Sequence, residues 1–256
     1  MPVKTMLEGS GFWVVIDRLD KANALDYEHL ARLREAIELG CKTREANAVV
    51  ITGSGDKYFS TGVDLGSVAN VKSADEAFKL MVEGLGNVCR AILDCRKPVI
   101  AAVNGHAIGI GFELLYAVDI AVAVRHAKFS TPAVKWGMIP PMTTTLGPFL
   151  IGLKNASYLA LTGATISAEE ALRMGIINEI VDDIESLRKR VMEIIGEMGK
   201  ASSWAISQAR RLLSLARERL YAELGLMSLG FSTARLETIG LARSFLEKKR
   251  KAIEIE

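Results

Sequence analysis

The chain has 256 residues, half of them hydrophobic and 24% charged, with a formal net charge of +2. That is enough chain for one large domain, or one domain with an appendage, around a sizeable core, and the near-neutral charge gives no footing to a polyanionic partner. Its three cysteines, Cys41, Cys89 and Cys95, show no metal-ligand spacing, their odd number speaks against a disulfide framework, and no apolar run is long enough for a signal core or membrane span, so a protein of a reducing cytoplasm is expected.

In chain order, residues 12–17 read as a strand, and Asp26 as the N-cap of an amphipathic helix reaching Leu39. Residues 48–52 read as a second strand, followed by a glycine-bearing loop, Gly53 to Leu65, with a tight turn at Gly62. Residues 73–93 form a helical pattern. Pro98 then introduces a buried strand, Val99 to Val103, stopped by Asn104-Gly105. A helix is expected to open near Gly109 to Gly111, where closely spaced glycines make sense only if backbone must approach something or adopt unusual dihedrals. Its first amides lack intrahelical partners and carry partial positive charge, so they would face an anion or a developing oxyanion.

Glu113 is the second signal in that stretch. Its neighbours Ile110, Phe112, Leu114, Leu115 and Tyr116 leave no obvious solvated face, so the carboxyl is buried with a partner, lines a cavity, or emerges at the surface in a structural role. Beyond it come a strand at 119–124, an extended piece at 128–131 and the unusual run Trp136-Gly-Met-Ile-Pro-Pro-Met-Thr-Thr-Thr145. Helices follow at 148–161, 167–174 and 183–199, with a strand at 176–181, and from about residue 203 the chain reads as helical to its end. Strands alternating with helices indicate an α/β core with largely parallel pairing. The C-terminal helices carry Leu212, Leu213, Leu215, Leu224, Leu226, Met227, Leu229 and Phe231, more apolar surface than a monomeric tail easily hides.

These segments, in this order, resemble the enoyl-CoA hydratase/isomerase family, the crotonase superfamily. The similarity rests on Lys21-Ala-Asn-Ala-Leu25, Phe59-Ser-Thr-Gly-Val-Asp-Leu65, Lys97 to Glu113, Leu161-Thr-Gly163, Glu170 to Asn178 and Phe245-Leu-Glu-Lys248. The resemblance implies an α/β fold built as a crotonase-like spiral of ββα units. It places the α/β core with the acyl and coenzyme A site at residues 1–195, and a C-terminal helical region for trimerisation at 196–256. It implies an acyl-CoA substrate held as an enolate, with coenzyme A entering as part of the substrate and no permanently bound cofactor. It also implies self-association as a trimer or a dimer of trimers. Carried over, the two oxyanion amides are those of Val63 and Ile110, and Glu113 is the acid/base. Gly62, Gly109 and Pro141 fall at substrate- or coenzyme A-binding positions; Ala22, Ala24, Asp64 and Leu65 fall along the coenzyme A channel, and Lys248 near its phosphates. The alternative reading of residues 248–251 is a solvated helix end.

The sequence departs from the usual hydratase at one place. The position of a second catalytic Glu is Ala133, and no Asp or Glu occurs between Asp119 and Glu169. A lone carboxylate suits double-bond isomerisation of an enoyl thioester, adds water less efficiently, and can also serve a decarboxylation of the methylmalonyl-CoA type, whose relatives share a patch like Phe129-Ser-Thr-Pro132. A rival of another class is a non-catalytic protein that binds a coenzyme A ester or RNA. His106, Lys135, Trp136 and residues 143–145 are further pocket candidates, and His29 and His126 read as surface positions. Scattered His and Cys indicate no metal site.

Overall fold

The computed structural model describes residues 3–215 and 219–253. Ten strands occur there: β1 (Val3–Glu8), β2 (Gly11–Ile16), β3 (Ala48–Gly53), β4 (Tyr58–Ser60), β5 (Val99–Val103), β6 (His106–Ile108), β7 (Ile120–Val124), β8 (Lys128–Ser130), β9 (Thr165–Ser167) and β10 (Glu179–Val181). They form a six-stranded sheet in the order β1-β2-β3-β5-β7-β10 and a four-stranded sheet in the order β4-β6-β8-β9. Only the edge pairs β1–β2 and β8–β9 run antiparallel. Each turn of the chain lays one strand in the large sheet, one in the small sheet, and then a helical segment: β3 and β4, β5 and β6, β7 and β8. This is the crotonase spiral of ββα units.

The central strands are continuous apolar runs because both of their faces are covered, as parallel sheets require. Val99 to Val103 are all buried, as are Val49 and Val50 beside them. Asp26 caps the helix Tyr27–Lys42 by accepting the His29 N–H at 3.0 Å, and Leu30, Leu33 and Ile37 of that helix are fully buried. The expected helix at 73–93 is present but carries a π-helical stretch, Lys79–Leu85, between Ala74–Phe78 and Gly86–Asp94. The expected helix at 148–161 is divided at Gly152, whose φ of +81° no helix interior accommodates, into Gly147–Leu150 and Leu153–Thr162. The strand foreseen at 176–181 shortens to β10, because Ile176 donates its N–H back to Ala171 and closes the preceding helix.

Three expectations are corrected. Cys41 and Cys95 form a disulfide, with Cα atoms 5.5 Å apart, and Cys89 is the buried free thiol. An odd count excludes only complete pairing, and the two bonded residues sit at the ends of the helices Tyr27–Lys42 and Gly86–Asp94, which end side by side. His29 is not a surface residue: its side chain is only 12% exposed, and its Nδ1 lies 2.7 Å from Asp26. Of the C-terminal apolar residues, Leu226 and Leu229 are buried in the chain's own core, whereas Leu212, Leu213, Leu215, Met227 and Phe231 are exposed; Leu224 lies outside the residues whose side chains are described.

The C-terminal helices Ser203–Leu215, Arg219–Thr233 and Leu236–Ile253 pack on the α/β unit. Arg210 anchors the first, its guanidinium 4% exposed and 2.6 Å from Asp119. Arg243 anchors the last by donating to Ala69 O at 2.9 Å. No helix among the described residues is long and apolar enough to cross a membrane.

Candidate active site

The site lies where the chain leaves β4 and β6. After β4, Gly62 turns with φ +89°, and a Cβ there would meet Ile110 N at 2.8 Å and Ile108 O at 2.9 Å. Only glycine therefore lets this loop close on the one that follows β6. The contact is mutual: a Cβ on Gly111 would lie 2.5 Å from Ser60 O. Buried side chains fix both loops from behind. Asn23 donates to Ser54 O (3.0 Å) and Tyr58 O (2.8 Å), Ser60 donates to Asn23 O (2.8 Å), and Asn104 accepts the Gly53 N–H at 2.9 Å.

This bracing leaves two main-chain donors at the junction. Leu25 and Val63 form an isolated bridge whose hydrogen bonds fall on the neighbours of Val63: Leu25 N–H to Gly62 O at 2.7 Å, and Asp64 N–H to Leu25 O at 2.9 Å. The Val63 N–H is outside that bridge. Ile110 is the first residue of the short helix Ile110–Glu113, so its N–H has no intrahelical acceptor, while the N–H of Glu113 already reaches Gly109 O at 2.9 Å. Val63, Gly109, Ile110 and Glu113 border one cavity of about 210 Å³.

Glu113 is 2% exposed. Its Oε2 accepts the N–H groups of Met142 (2.6 Å) and Thr143 (3.0 Å), and its Oε1 accepts the Thr143 hydroxyl. The explanation for the unusual proline–threonine run follows. Pro141 opens the helix Pro141–Thr145 with no side-chain cap of its own, and Glu113, from another element, takes the place of one. Burial pushes the Glu113 carboxyl above the usual glutamate range, opposed by the hydrogen bonds from Thr143 and Met142 and by the nearby Thr131 hydroxyl. Among the described residues no cation pairs with it. Nearby Cys89 is no nucleophile: burial, and then the charge of Glu113, push its thiol up to about 12.

The remaining wall is almost wholly apolar, including Leu65, Met81, Ala133, Trp136, Pro141 and Leu229. Trp136 is held from behind by Phe245, ring centroids 5.1 Å apart, so the last helix supports the cavity. The structure thus gathers Val63, Ile110, Glu113, Gly109, Leu65 and Pro141 at one cavity, with Gly62 shaping the loop that carries Val63. It divides the pair Asp64–Leu65: Leu65 is on the wall, whereas the Asp64 carboxylate is turned away to accept the Gly66 N–H at 2.7 Å and to pair with Arg18 at 2.9 Å. Ala22 and Ala24 are off the wall. Ala22 takes a left-handed φ of 53° and its carbonyl accepts from Thr61, and the Ala24 carbonyl accepts from Arg18 at 3.1 Å. Lys248 is exposed on the last helix.

Four further candidates leave the site. His106 faces Tyr58 and His126 on the small sheet, its Nδ1 accepting from Lys128 N at 3.2 Å, and burial first, then His126, Lys57 and Lys128, hold its pKa down. Lys135 donates to Gly163 O at 3.0 Å, and the hydroxyls of Thr144 and Thr145 return to the carbonyls of Pro140 and Pro141. Two polar wall residues were not named individually from the sequence, Thr61 and Thr131, although Thr131 belongs to the patch Phe129-Ser-Thr-Pro132. Among the described residues no group of His, Cys, Asp and Glu has the makings of a metal site.

Residues 10–252 match the family model described as enoyl-CoA hydratase/isomerase. This chain belongs to the enoyl-CoA hydratase/isomerase family. It is 35% identical over 208 residues to a carnitinyl-CoA dehydratase of Salmonella typhi, covering 80% of this chain and 77% of that protein. Among solved structures it resembles an enoyl-CoA hydratase from Bacillus halodurans with a TM-score of 0.87, at 27% identity over 95% of this chain and all 100% of that one. An enoyl-CoA hydratase/isomerase from Mycobacterium paratuberculosis superimposes with a TM-score of 0.85 at 25% identity, covering 95% of this chain and 98% of that one. Enoyl-CoA hydratase/isomerase family members act on coenzyme A thioesters, and the crotonase spiral described above is their fold.

Proposed function

We propose that this protein hydrates or isomerises an enoyl-CoA, or runs the hydration backwards as a dehydratase, through a thioester enolate. The Val63 and Ile110 N–H groups hold the thioester oxygen as it gains charge, and Glu113 carries the proton. The observation that carries this reading is the close approach of Gly62 to Ile110 N with Glu113 on the same cavity. Two fixed donors aimed at a developing oxyanion need no reorganisation during the reaction, and losing one such donor typically lowers turnover by about 10²–10³. A proton carrier with a raised pKa suits Glu113 to accept a proton and return it. The dehydration named for the Salmonella relative falls within the same chemistry, since a 3-hydroxyacyl thioester loses water through the same enolate.

Replacing Glu113→Gln tests the reading. Glutamine keeps an oxygen for the two backbone donors, and the Thr143 hydroxyl can turn to accept from its amide. Turnover of enoyl-CoA should fall by at least about 10² while affinity for a saturated acyl-CoA is kept. Full turnover in that variant would exclude the mechanism. Ala133 on the cavity wall, in place of a second carboxylate, favours decarboxylation of a methylmalonyl-type thioester as the second reading. Product mass separates the two: gain or loss of water, or no change on isomerisation, against loss of carbon dioxide.

For the coenzyme A moiety we propose the route along Ala22, Ala24 and Leu65 towards Lys248. The exposed apolar residues Leu212, Leu213, Leu215 and Phe231 support self-association through the C-terminal region 196–256, as a trimer or dimer of trimers. Sedimentation as a monomer at micromolar concentration would remove that part of the proposal.

A further inference from the structure

Besides the Trp136 indole, the cavity wall carries two threonines and one carboxyl: Thr61, Thr131 and Glu113. The Thr61 hydroxyl is occupied, donating to Ala22 O at 3.1 Å. Thr131 is different. Its residue is 0% exposed, and its Oγ1 makes no hydrogen bond. A buried hydroxyl without a partner is costly, and most buried polar atoms are paired, so this one calls for an explanation. The usual structural explanation is missing. Thr131 stands at the N-cap of the short helix Pro132–Trp136, yet its side chain makes no capping bond.

We propose that the Thr131 hydroxyl is a further catalytic residue: on the same wall as Glu113, it holds the oxygen that is added to, or lost from, the β-carbon of the acyl thioester. This rests on the enolate reading above. A water in an apolar cavity needs at least two polar partners, and Thr131 and Glu113 are two side chains of this wall with capacity left. Glu113 Oε2 already accepts two N–H groups, but Oε1 accepts only the Thr143 hydroxyl and retains a lone pair. Thr131 stands close enough to the same carboxyl to help hold it ionised. The position where the family pattern puts a second acid is the methyl of Ala133, on the same wall. The hydroxyl therefore takes over the positioning half of the missing acid's work, and Glu113 keeps all of the proton transfer.

The step balances without a second base. Water accepts a hydrogen bond from Thr131 and donates to Glu113 Oε1. Its O–H bond breaks as the proton passes to Glu113, and its oxygen bonds to C3. The C2–C3 π pair moves onto the thioester oxygen, between the Val63 and Ile110 N–H groups. The enolate then collapses, taking the proton from Glu113 at C2. Thr131 keeps its own proton throughout. Isomerisation moves a proton between C4 and C2 with no water, so it makes no use of this hydroxyl.

The test is the ratio of crotonyl-CoA hydration to 3-butenoyl-CoA isomerisation in the wild type, Thr131→Val, Thr131→Ser and Glu113→Gln. In Thr131→Val the ratio should fall by about 10- to 100-fold through kcat, with KM held. Thr131→Ser, which keeps the hydroxyl, should restore it, and Glu113→Gln should lose both reactions. An unchanged ratio in Thr131→Val, or a folded Thr131→Ser with the ratio of the valine variant, overturns the assignment of Thr131 while leaving the enolate reading standing. A wild type that turns over neither ester overturns the enolate reading and this inference together.

Discussion

Two carboxylates on one stretch of chain show how environment divides chemistry from architecture. Asp119 and Glu113 are both largely withdrawn from solvent. Asp119 meets the Arg210 guanidinium at 2.6 Å and accepts the Val99 N–H at 2.7 Å. Arg210 in turn donates to the carbonyls of Ile92, Leu93 and Cys95 where the helix Gly86–Asp94 ends. That charge is neutralised by a fixed cation and ties the C-terminal helices to the sheet. Glu113 has donors around it but, among the described residues, no cation, so burial keeps its pKa raised and its proton transferable. A buried acid with a counter-cation holds structure; one held only by dipoles keeps its charge available.

The comparison breaks most sharply under Glu113→Gln, where turnover should drop by at least about 10² with thermal stability near that of the wild type. Arg210→Met should do the opposite. It leaves Asp119 buried without its cation, which costs on the order of 3 kcal/mol, and a urea titration should show the midpoint shifted while turnover per folded molecule stays. Equal effects of the two changes on turnover would erase the distinction.

A finer reading comes from pH. Because the mechanism needs ionised Glu113 as the base, kcat/KM should fall as pH drops through its raised pKa, giving an acid limb above the usual glutamate range. Thr143→Val removes a donor to the charged form, so the limb should move to still higher pH. A limb that stays in place in Thr143→Val would mean that another group titrates there.

Much of this was legible in the chain itself. Continuous apolar runs marked the central parallel strands, Asp26 marked a helix start, and the glycines at 62 and 109–111 marked the places where backbone had to turn and approach. Those are local signals, set by steric freedom and hydrophobic periodicity over a few residues. Short strands such as β4, β6 and β9 passed unread because they are too brief for a period to show. The Cys41–Cys95 bond, the burial of Leu226 and Leu229, and the disengagement of Asp64 and His106 depended on partners distant in sequence.

The sequence by itself determined where the strands and glycine turns fall and that an acid sits beside one of them, because dihedral limits and burial patterns act locally. Only the tertiary structure decided which groups meet: Gly62 against Ile110, the Pro141–Thr145 helix end on Glu113, and the unpartnered Thr131 on the same wall. Hydrogen bonds and van der Waals contact act over a few ångströms, and it is folding that brings such distant residues within that reach.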